Sequence, residues 1–517
     1  MGFGRAKEDR PTPPEVYNWK IYVVALSATL GSWMFGYNNG VVGGCMVLPA
    51  FRRDFNLPPA GTFQYTTITS NIVSFLQIGA LVGSLLVFPI VKSFGRRSAL
   101  GISGVVFFIG AAMQTFSNGS LSLMYLGRAL SGVGLGSVTV SVPMYIGELS
   151  PPAIRGSLIG LYEINNQLSS LVGFWANYFT IIGIPDGQSR QWQIPLAMQM
   201  IPAALLCIAV LVLPESPRWL VEQGRSLQAR RVLSFVRNLD RDHEYISFEI
   251  DRVEESLARQ RHMKEKAGSW QLMRELIWPG NRNRLSIGCV LMWCANTTGT
   301  IGINSYAPAI FESIGFSGTT RHLFLSGFYA LARAVTTVLG LSFFIDMVGR
   351  RKLLLLASAG IVISLTYIGA FNTATVGDVN KGVGGWIAMA AVYIYAVSFA
   401  TGWNGVPWVY CAEIFPSRIK DVAVCLTTWN QWLAQFTVAR VTPYMLGINE
   451  SGNVFFFFFA GGTFASALFV YFFLPETKGR TLEGMDEIFG TPYKGGSEGP
   501  VMSQAMGDEL VRIPTTV

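Results

Sequence analysis

The sequence predicts an all-α membrane protein, with twelve transmembrane helices in two six-helix halves and short cytoplasmic helices between them. Three observations carry that reading. Of the 517 residues, 50% are hydrophobic and only 14% charged, against about 25% charged in soluble domains. Apolar runs long enough to cross a bilayer recur twelve times. Three short motifs of the first half return in the second, in the same order.

The runs lie near 21–47, 71–91, 98–117, 121–146, 156–182, 193–213, 285–310, 323–345, 353–371, 385–411, 422–446 and 453–474. Period-2 alternation is absent, so helices rather than strands satisfy the backbone in lipid. Residues 1–20 carry charges and prolines without an apolar core of their own, which predicts a cytoplasmic tail and not a cleavable signal. The expected organisation is a first half over 21–213, a linker over 214–283, a second half over 284–475 and a cytoplasmic tail over 476–517. The linker holds 13 Lys/Arg against 11 Asp/Glu, a mixed charge with helical spacing that suits short amphipathic helices at the membrane face.

The fifth run, 155–179, is the most informative. After Arg155 its only charge is Glu163. At helical spacing Glu163, Asn166, Gln167, Ser170 and Asn177 share one side, while Leu161, Ile164, Leu168 and Leu171 lie largely elsewhere. A charged group in hydrocarbon costs at least ~2.5–3.5 kcal/mol, so this stripe has to face other helices or a watery cavity. The stripe predicts a cavity that holds a polar solute.

Charge sets the expected topology. Lys92/Arg96/Arg97, Arg350/Arg351/Lys352, Arg418/Lys420 and Lys478/Arg480 all fall on the side of the N-terminus, which the positive-inside rule makes cytoplasmic. The formal net charge of +8 is therefore read as topology and not as nucleic-acid binding. The sequons Asn118-Gly119-Ser120 and Asn449-Glu450-Ser451 fall on the opposite side. The six cysteines show neither ligand-like nor disulfide-like spacing, His243, His262 and His322 show no metal spacing, and no nucleophile stands beside a base. Neither an enzyme nor a cofactor is expected.

The halves echo each other. Gly95-Arg96-Arg97 returns as Gly349-Arg350-Arg351, Glu148-Leu149-Ser150-Pro151 as Glu413-Ile414-Phe415-Pro416, and Pro214-Glu215-Ser216 as Pro475-Glu476-Thr477. Internal duplication around a central site is how secondary transporters alternate access. The arginine pairs are expected to reach Glu148, Glu413, Glu215 and Glu476, and the resulting charge lattice to latch the halves together when the pore is closed on the inside.

Asp346-Met347-Val348-Gly349-Arg350-Arg351, Gly127-Arg128-Ala129-Leu130-Ser131-Gly132, Pro214-Glu215-Ser216-Pro217-Arg218-Trp219-Leu220 and Pro475-Glu476-Thr477-Lys478-Gly479-Arg480 resemble signatures of the sugar porter family of the major facilitator superfamily. Tyr162-Glu163, Leu171-Val172-Gly173-Phe174-Trp175 and Trp403-Asn404-Gly405-Val406-Pro407-Trp408 resemble its fungal quinate permease branch, whose relatives carry quinate, galacturonate and some neutral sugars. The resemblance implies the major facilitator fold in the plasma membrane, with a monosaccharide or sugar-like acid as partner and lipid around it; protons are the further partner expected from Glu163. It implies a cytoplasmic gate of Gly95, Arg96, Arg97, Glu148, Arg155, Glu215, Arg218, Asp346, Gly349, Arg350, Arg351, Glu413 and Glu476.

It also implies a site. Glu163 takes the place of a sugar-binding Gln, with Gln167 one turn later and Asn166 beside it. In the seventh span the family's two Gln and one Asn read Ala295, Asn296 and Ile301 here, a departure that leaves Asn296, Thr300 and Asn304 as polar groups near one face. Trp408, beside Asn404, matches a stacking tryptophan, and Gln431-Trp432 matches an Asn-Trp pair.

Coupling stays open between two readings. Proton-coupled relatives pair a first-span Asp with the fourth-span Arg; here Asn38 faces Arg128, as in facilitators, and Asn38 cannot titrate. Glu163 can carry a proton instead, and the balance favours proton-coupled uptake. Arg333, a second intramembrane cation, is either the counter-ion of Glu163 or the partner of a substrate carboxylate. A non-transporting sensor on the same fold is the remaining alternative, disfavoured by a short tail after the last span.

Overall fold

A computed structural model describes residues 12–477 except 60, 186, 267–275, 277, 279–280, 317, 341–344, 377–381, 417–418 and 450–451. The side chain of Asp346 and the outer parts of both tails thus lie outside the described residues. Among those described, every regular element is helical.

Eight spans are continuous: Phe63–Phe94, Arg96–Thr115, Leu121–Leu149, Arg155–Gly183, Thr319–Leu339, Arg350–Ala374, Lys420–Gly447 and Asn453–Phe473 are the second, third, fourth, fifth, eighth, ninth, eleventh and twelfth. Four are broken: Trp19–Ala28 with Leu30–Val47 forms the first, Arg190–Met198 with Met200–Val212 the sixth, Asn281–Asn296 with Thr300–Ser313 the seventh, and Gly382–Thr401 with Val406–Ile414 the tenth. Nine of these helical stretches are apolar enough to cross a membrane by composition alone. The three that fall short are the first, fifth and eleventh. They carry Asn38, the Glu163 stripe and the Asn430/Gln431/Gln435 group, whose side chains turn inward while Leu168, Phe179 and Ile182 of the fifth span face outward.

Two one-residue turns fix the pseudo-symmetry. Gly95 (φ 91°, ψ 171°) joins the second span to the third, and Gly349 (φ 96°, ψ 155°) precedes the ninth. That region of backbone space is essentially closed to side chains. A Cβ on Gly95 would stand 2.4 Å from Glu215 Oε2, and one on Gly349 2.7 Å from Glu476 Oε2. Both carboxylates occupy that space because they bind helix N-termini. Glu215 Oε1 accepts from the backbone N–H of Arg96 (2.9 Å), Arg97 (3.1 Å) and Ser216 (2.8 Å). Glu476 accepts likewise from Arg350 (2.9 Å), Arg351 (3.0 Å) and Thr477 (3.1 Å). Burial pushes the Glu215 carboxyl above its ordinary range, and these N–H groups pull it back.

Around each turn the same ion pair repeats. Arg96 meets Glu148 at 2.8 Å and Arg350 meets Glu413 at 3.0 Å. Ser216 and Thr477 donate their hydroxyls to the same two glutamates. Arg97 and Arg351 cap the last carbonyls of the sixth and twelfth spans, at Val210 and Tyr471. The sequence reading expected these charges to latch the two halves together when the pore is closed on the inside. In the structure each cluster ties spans of its own half. Arg155 and Arg218 share no hydrogen bond or ion pair with the Arg96–Glu148–Glu215 cluster; Arg155 lies instead in the field of Glu249 and Arg237.

The linker helices Pro217–Glu222, Ser226–Arg237 and Glu244–Lys266 build a small core of Trp219, Leu220, Leu233, Ile246 and Ile250. Arg237, 1% exposed, anchors them to the first half, donating to Glu249 (2.8 Å) and to the carbonyl of Leu149 (2.7 Å). This end of the molecule is called the basic face below.

Contact between the halves concentrates toward the other face. Ser70 of the second span donates to the Arg440 carbonyl of the eleventh (2.9 Å), and Arg440 donates to Asn71. Trp175 of the fifth span packs on Phe324 and Phe328 of the eighth at 5.9 and 5.7 Å. The first and seventh spans meet so closely that a Cβ on Gly43 would stand 2.3 Å from the Ser305 carbonyl oxygen. On the basic side, added Cβ atoms at Gly156 and Gly160 of the fifth span would meet open space. The bundle is closed away from the basic face and parted toward it.

Two outcomes follow. Gly95→Ala and Gly349→Ala each lower stability by about 1–3 kcal/mol from the strained backbone alone, with more from the displaced carboxylate; thermal unfolding in detergent reads this, and an unchanged midpoint for both would refute it. Gly160→Cys is labelled by a membrane-impermeant maleimide applied from the basic face, above the wild-type background, and labelling no greater than wild type would mean that the vestibule is not there.

Candidate functional site

The polar stripe of the fifth span divides on inspection. Its outer part serves packing. The first span carries Gly36, Gly40 and Gly44 at four-residue intervals, the small-residue spacing that lets helices approach closely. Added Cβ atoms would collide with the Asn166 carbonyl (1.8 Å), the Ser170 carbonyl (2.3 Å) and the Asn177 amide (2.2 Å), respectively. Asn177 donates to the Val41 carbonyl at 2.9 Å. Ser170 and Asn177 therefore hold two helices together and do not line a cavity.

Its inner part is different. Glu163 Oε1 accepts from Gln167 Nε2 at 2.8 Å, from Asn404 Nδ2 at 2.8 Å and from Asn166 Nδ2 at 3.3 Å. Asn404 sits in the break of the tenth span, where residues 402–405 form a turn between its two helices. This carboxylate thus joins the halves near mid-membrane. No hydrogen bond or ion pair between described residues joins them on its basic side. Asn404 also reaches Thr337 of the eighth span at 3.5 Å. All the direct partners of Glu163 are neutral amides.

A second cluster lies one turn along the eighth span. Arg333 and the Tyr329 hydroxyl (2.9 Å) both donate to Asn304 Oδ1 of the seventh span. The guanidinium rests on the rings of Tyr329 (5.8 Å) and Phe399 (5.4 Å). Arg333 has no ion pair among the described residues. Nearby, the Thr300 hydroxyl and Arg333 Nε are buried without a hydrogen-bond partner.

Asn296 donates to Gln431 at 2.7 Å, linking the seventh and eleventh spans, and its own Oδ1 is left unpartnered. Trp432 packs among apolar residues of the first half, 5.5 Å from the Phe35 ring. Trp408 is 37% exposed, while the neighbouring Trp403 is 1% exposed and donates to Ser358 at 3.0 Å.

Arg128 and Asn38 stand apart from Glu163. Arg128 donates to the Ile72 carbonyl (2.8 Å) and to Asn38 Oδ1 (3.0 Å). Asn38 in turn donates to Gln199 Oε1 at 3.2 Å, and Gln199 to Gln114 Oε1 at 3.4 Å. Gln199 lies at the break of the sixth span. The sequence reading did not single out Gln114, Gln199, Tyr329 or Thr337. The first two were visible as amides inside apolar runs, and Tyr329 as the residue one turn before Arg333. Thr337 carried no signal.

Residues 24–489 match the family model described as sugar (and other) transporter. The chain is 39% identical to the probable quinate permease of Aspergillus flavus over 514 residues, covering 97% of this chain and 94% of that protein. It is 39% identical to the quinate permease of Emericella nidulans over 494 residues, 93% and 91% of the two. Among solved structures, the xylose transporter XylE of E. coli in a partially occluded inward open conformation superposes with a TM-score of 0.75 at 24% identity, covering 90% of this chain and all of that one. The proton:xylose symporter XylE bound to 6-bromo-6-deoxy-D-glucose gives 0.73 at 26% identity over 91% and 99%. On its sequence and its fold, the chain belongs to the sugar porter family of the major facilitator superfamily.

Proposed function

We propose that this protein carries a monosaccharide or a sugar-like acid across the plasma membrane by alternating access, coupled to protons, with its basic face and both termini in the cytoplasm. Glu163 is the observation that carries the reading. It is the one carboxylate placed at mid-membrane among the described spans, and it joins the two halves. It also sits at the head of the vestibule open to the basic face. A solute entering from that face meets Glu163, Gln167, Asn404 and Trp408 first. Its hydroxyls would replace the amides that now bridge the halves, and the seam would close around it.

The coupling follows from Asn38. With an amide there, Arg128 forms no ion pair among the described residues, so Glu163 is left as the proton carrier of the site. The facilitative reading rests on the same residue: if Glu163 keeps a fixed charge through the cycle, the protein is a uniporter. The resemblance to quinate permeases supports a sugar-like acid, and that to the xylose symporter supports a pentose or hexose with a proton.

Glu163→Gln preserves the shape of the amide cluster and removes the titratable group. In yeast lacking its own sugar carriers, this variant is expected to lose protonophore-sensitive accumulation, bringing the inside-to-outside ratio to unity while exchange persists. Wild-type accumulation that is indifferent to a protonophore, or an unchanged ratio in the variant, would favour the uniporter.

A further inference from the structure

The proposal rests on the transport reading above and narrows the solute it admits: we infer that Arg333, Asn304 and Tyr329 form a subsite for a carboxylate, and that the preferred substrate is a polyhydroxylated acid rather than a neutral sugar.

Among the described residues, Arg128 and Arg333 are the buried arginines that lie well inside their spans, and they are wired differently. Arg128 spends its Nε on the Ile72 carbonyl and its Nη1 on Asn38. It braces the first half. Arg333, 6% exposed, spends Nη1 on Asn304, while its Nε is buried and unpartnered. Its Nη2 donates to no described residue in good geometry, although the Tyr329 hydroxyl lies within reach of the guanidinium. Nε and Nη2 form one edge of the guanidinium, the edge that offers two parallel N–H groups to a carboxylate. Its polar neighbours, Asn304 Oδ1 and the Tyr329 hydroxyl, are uncharged.

A buried cation without a directly paired counter-charge is costly for a protein to keep. Glu163 lies near enough for its charge and that of Arg333 to act on each other, but the two do not pair: the direct contacts of Glu163 are all with amides. Aromatic faces on Tyr329 and Phe399 lower the cost of the charge without using its donors. Asn304 receives both Arg333 and Tyr329 on Oδ1, which leaves its amide N–H groups without a partner among the described residues. The Thr300 hydroxyl nearby is also unpartnered. The cluster is rich in unused donors, as an anion site requires.

Its position fits a two-point ligand. Arg333 is one turn, about 6 Å, from Thr337, and Thr337 touches the Asn404 that binds Glu163. A ring bearing a carboxylate at one end and hydroxyls at the other would place the first on Arg333 and the second on Gln167, Asn404 and Glu163. A neutral sugar would leave the guanidinium edge dry and unpaired, a discrimination that costs such a ligand roughly 10–100-fold in affinity.

The test is uptake of labelled quinate, galacturonate and xylose by the full chain in carrier-deficient yeast, for wild type, Arg333→Gln and Arg333→Lys. Thermal stabilisation of the detergent-purified proteins by the same compounds and by galacturonate methyl ester is measured alongside. Wild type is expected to prefer the acids at least tenfold. Arg333→Gln should raise KM for the acids by roughly 10–100-fold while leaving any xylose uptake within about twofold, and Arg333→Lys should restore part of the difference. Equal loss for acids and xylose in Arg333→Gln, with the variant still folded by its melting curve, would make Arg333 structural and overturn the subsite. Wild-type uptake of xylose alone would overturn the subsite and leave the transporter standing. Uptake of none of the three would sink the transport reading and this subsite with it.

Discussion

A polar group inside a hydrocarbon layer has to be satisfied by the protein itself, and this chain places Glu163, the one carboxylate well inside its described spans, where two halves must cooperate to satisfy it. Glu163 draws donors from its own helix through Asn166 and Gln167, and from the opposite half through Asn404. The seam between the halves is therefore written partly in hydrogen bonds that a hydroxylated solute can imitate. The apolar contacts that close the other face, Trp175 on Phe324 and Phe328, have no such imitator. Opening one end and closing the other then becomes a competition between packing at the far face and polar exchange at mid-membrane.

The duplicated charge clusters work on a different link of the mechanism. Each joins the start of one span, the end of a second and the loop after a third within one half, through a glutamate seated on a helix N-terminus. A carboxylate so placed gains from several N–H donors and the helix dipole together. In each half this binds three of the six spans to one another at the basic face. The expected latch belongs to a conformation closed on the basic face; in this one the charges brace each half from within. Arg237 extends the brace to the linker helices, which ride on the first half through the Leu149 carbonyl.

Most of the architecture was legible in the chain, because apolar length and motif repetition report directly on spans and duplication. The twelve runs match the observed spans in order, and the three least apolar ones proved to be those that turn amides or a carboxylate inward. The site was legible only in part. Periodicity showed that Glu163, Asn166, Gln167, Ser170 and Asn177 share a face, but a face does not say which neighbour stands against it at each depth. Near one end that neighbour is a glycine ridge, and the polar groups are absorbed by packing. Near the other it is the broken tenth span, and they are free to meet a solute. Periodicity likewise could not tell that Trp432, from its position along the eleventh span, packs on Phe35 of the opposite half. The grouping of Arg333 with Asn304 needed the kinked seventh span, whose Gly299 break (φ 82°) no periodicity reveals.

Asn38 gives the last step its force. A carrier with one titratable group near its solute and another elsewhere can bind proton and solute independently. Here the first span offers only an amide to Arg128, so on the proposed reading both events fall on Glu163. An ionised Glu163 accepts hydrogen bonds alone; a protonated one also donates. Since Gln167 and Asn404 touch the same oxygen and approach each other at 3.4 Å, a proton on that oxygen obliges at least one amide to turn. The amide that turns is either on the fifth span, beside the solute, or on the tenth, across the seam. On the proposed reading, proton binding, solute contact and the join between the halves share one carboxyl group, and coupling needs no longer-range relay.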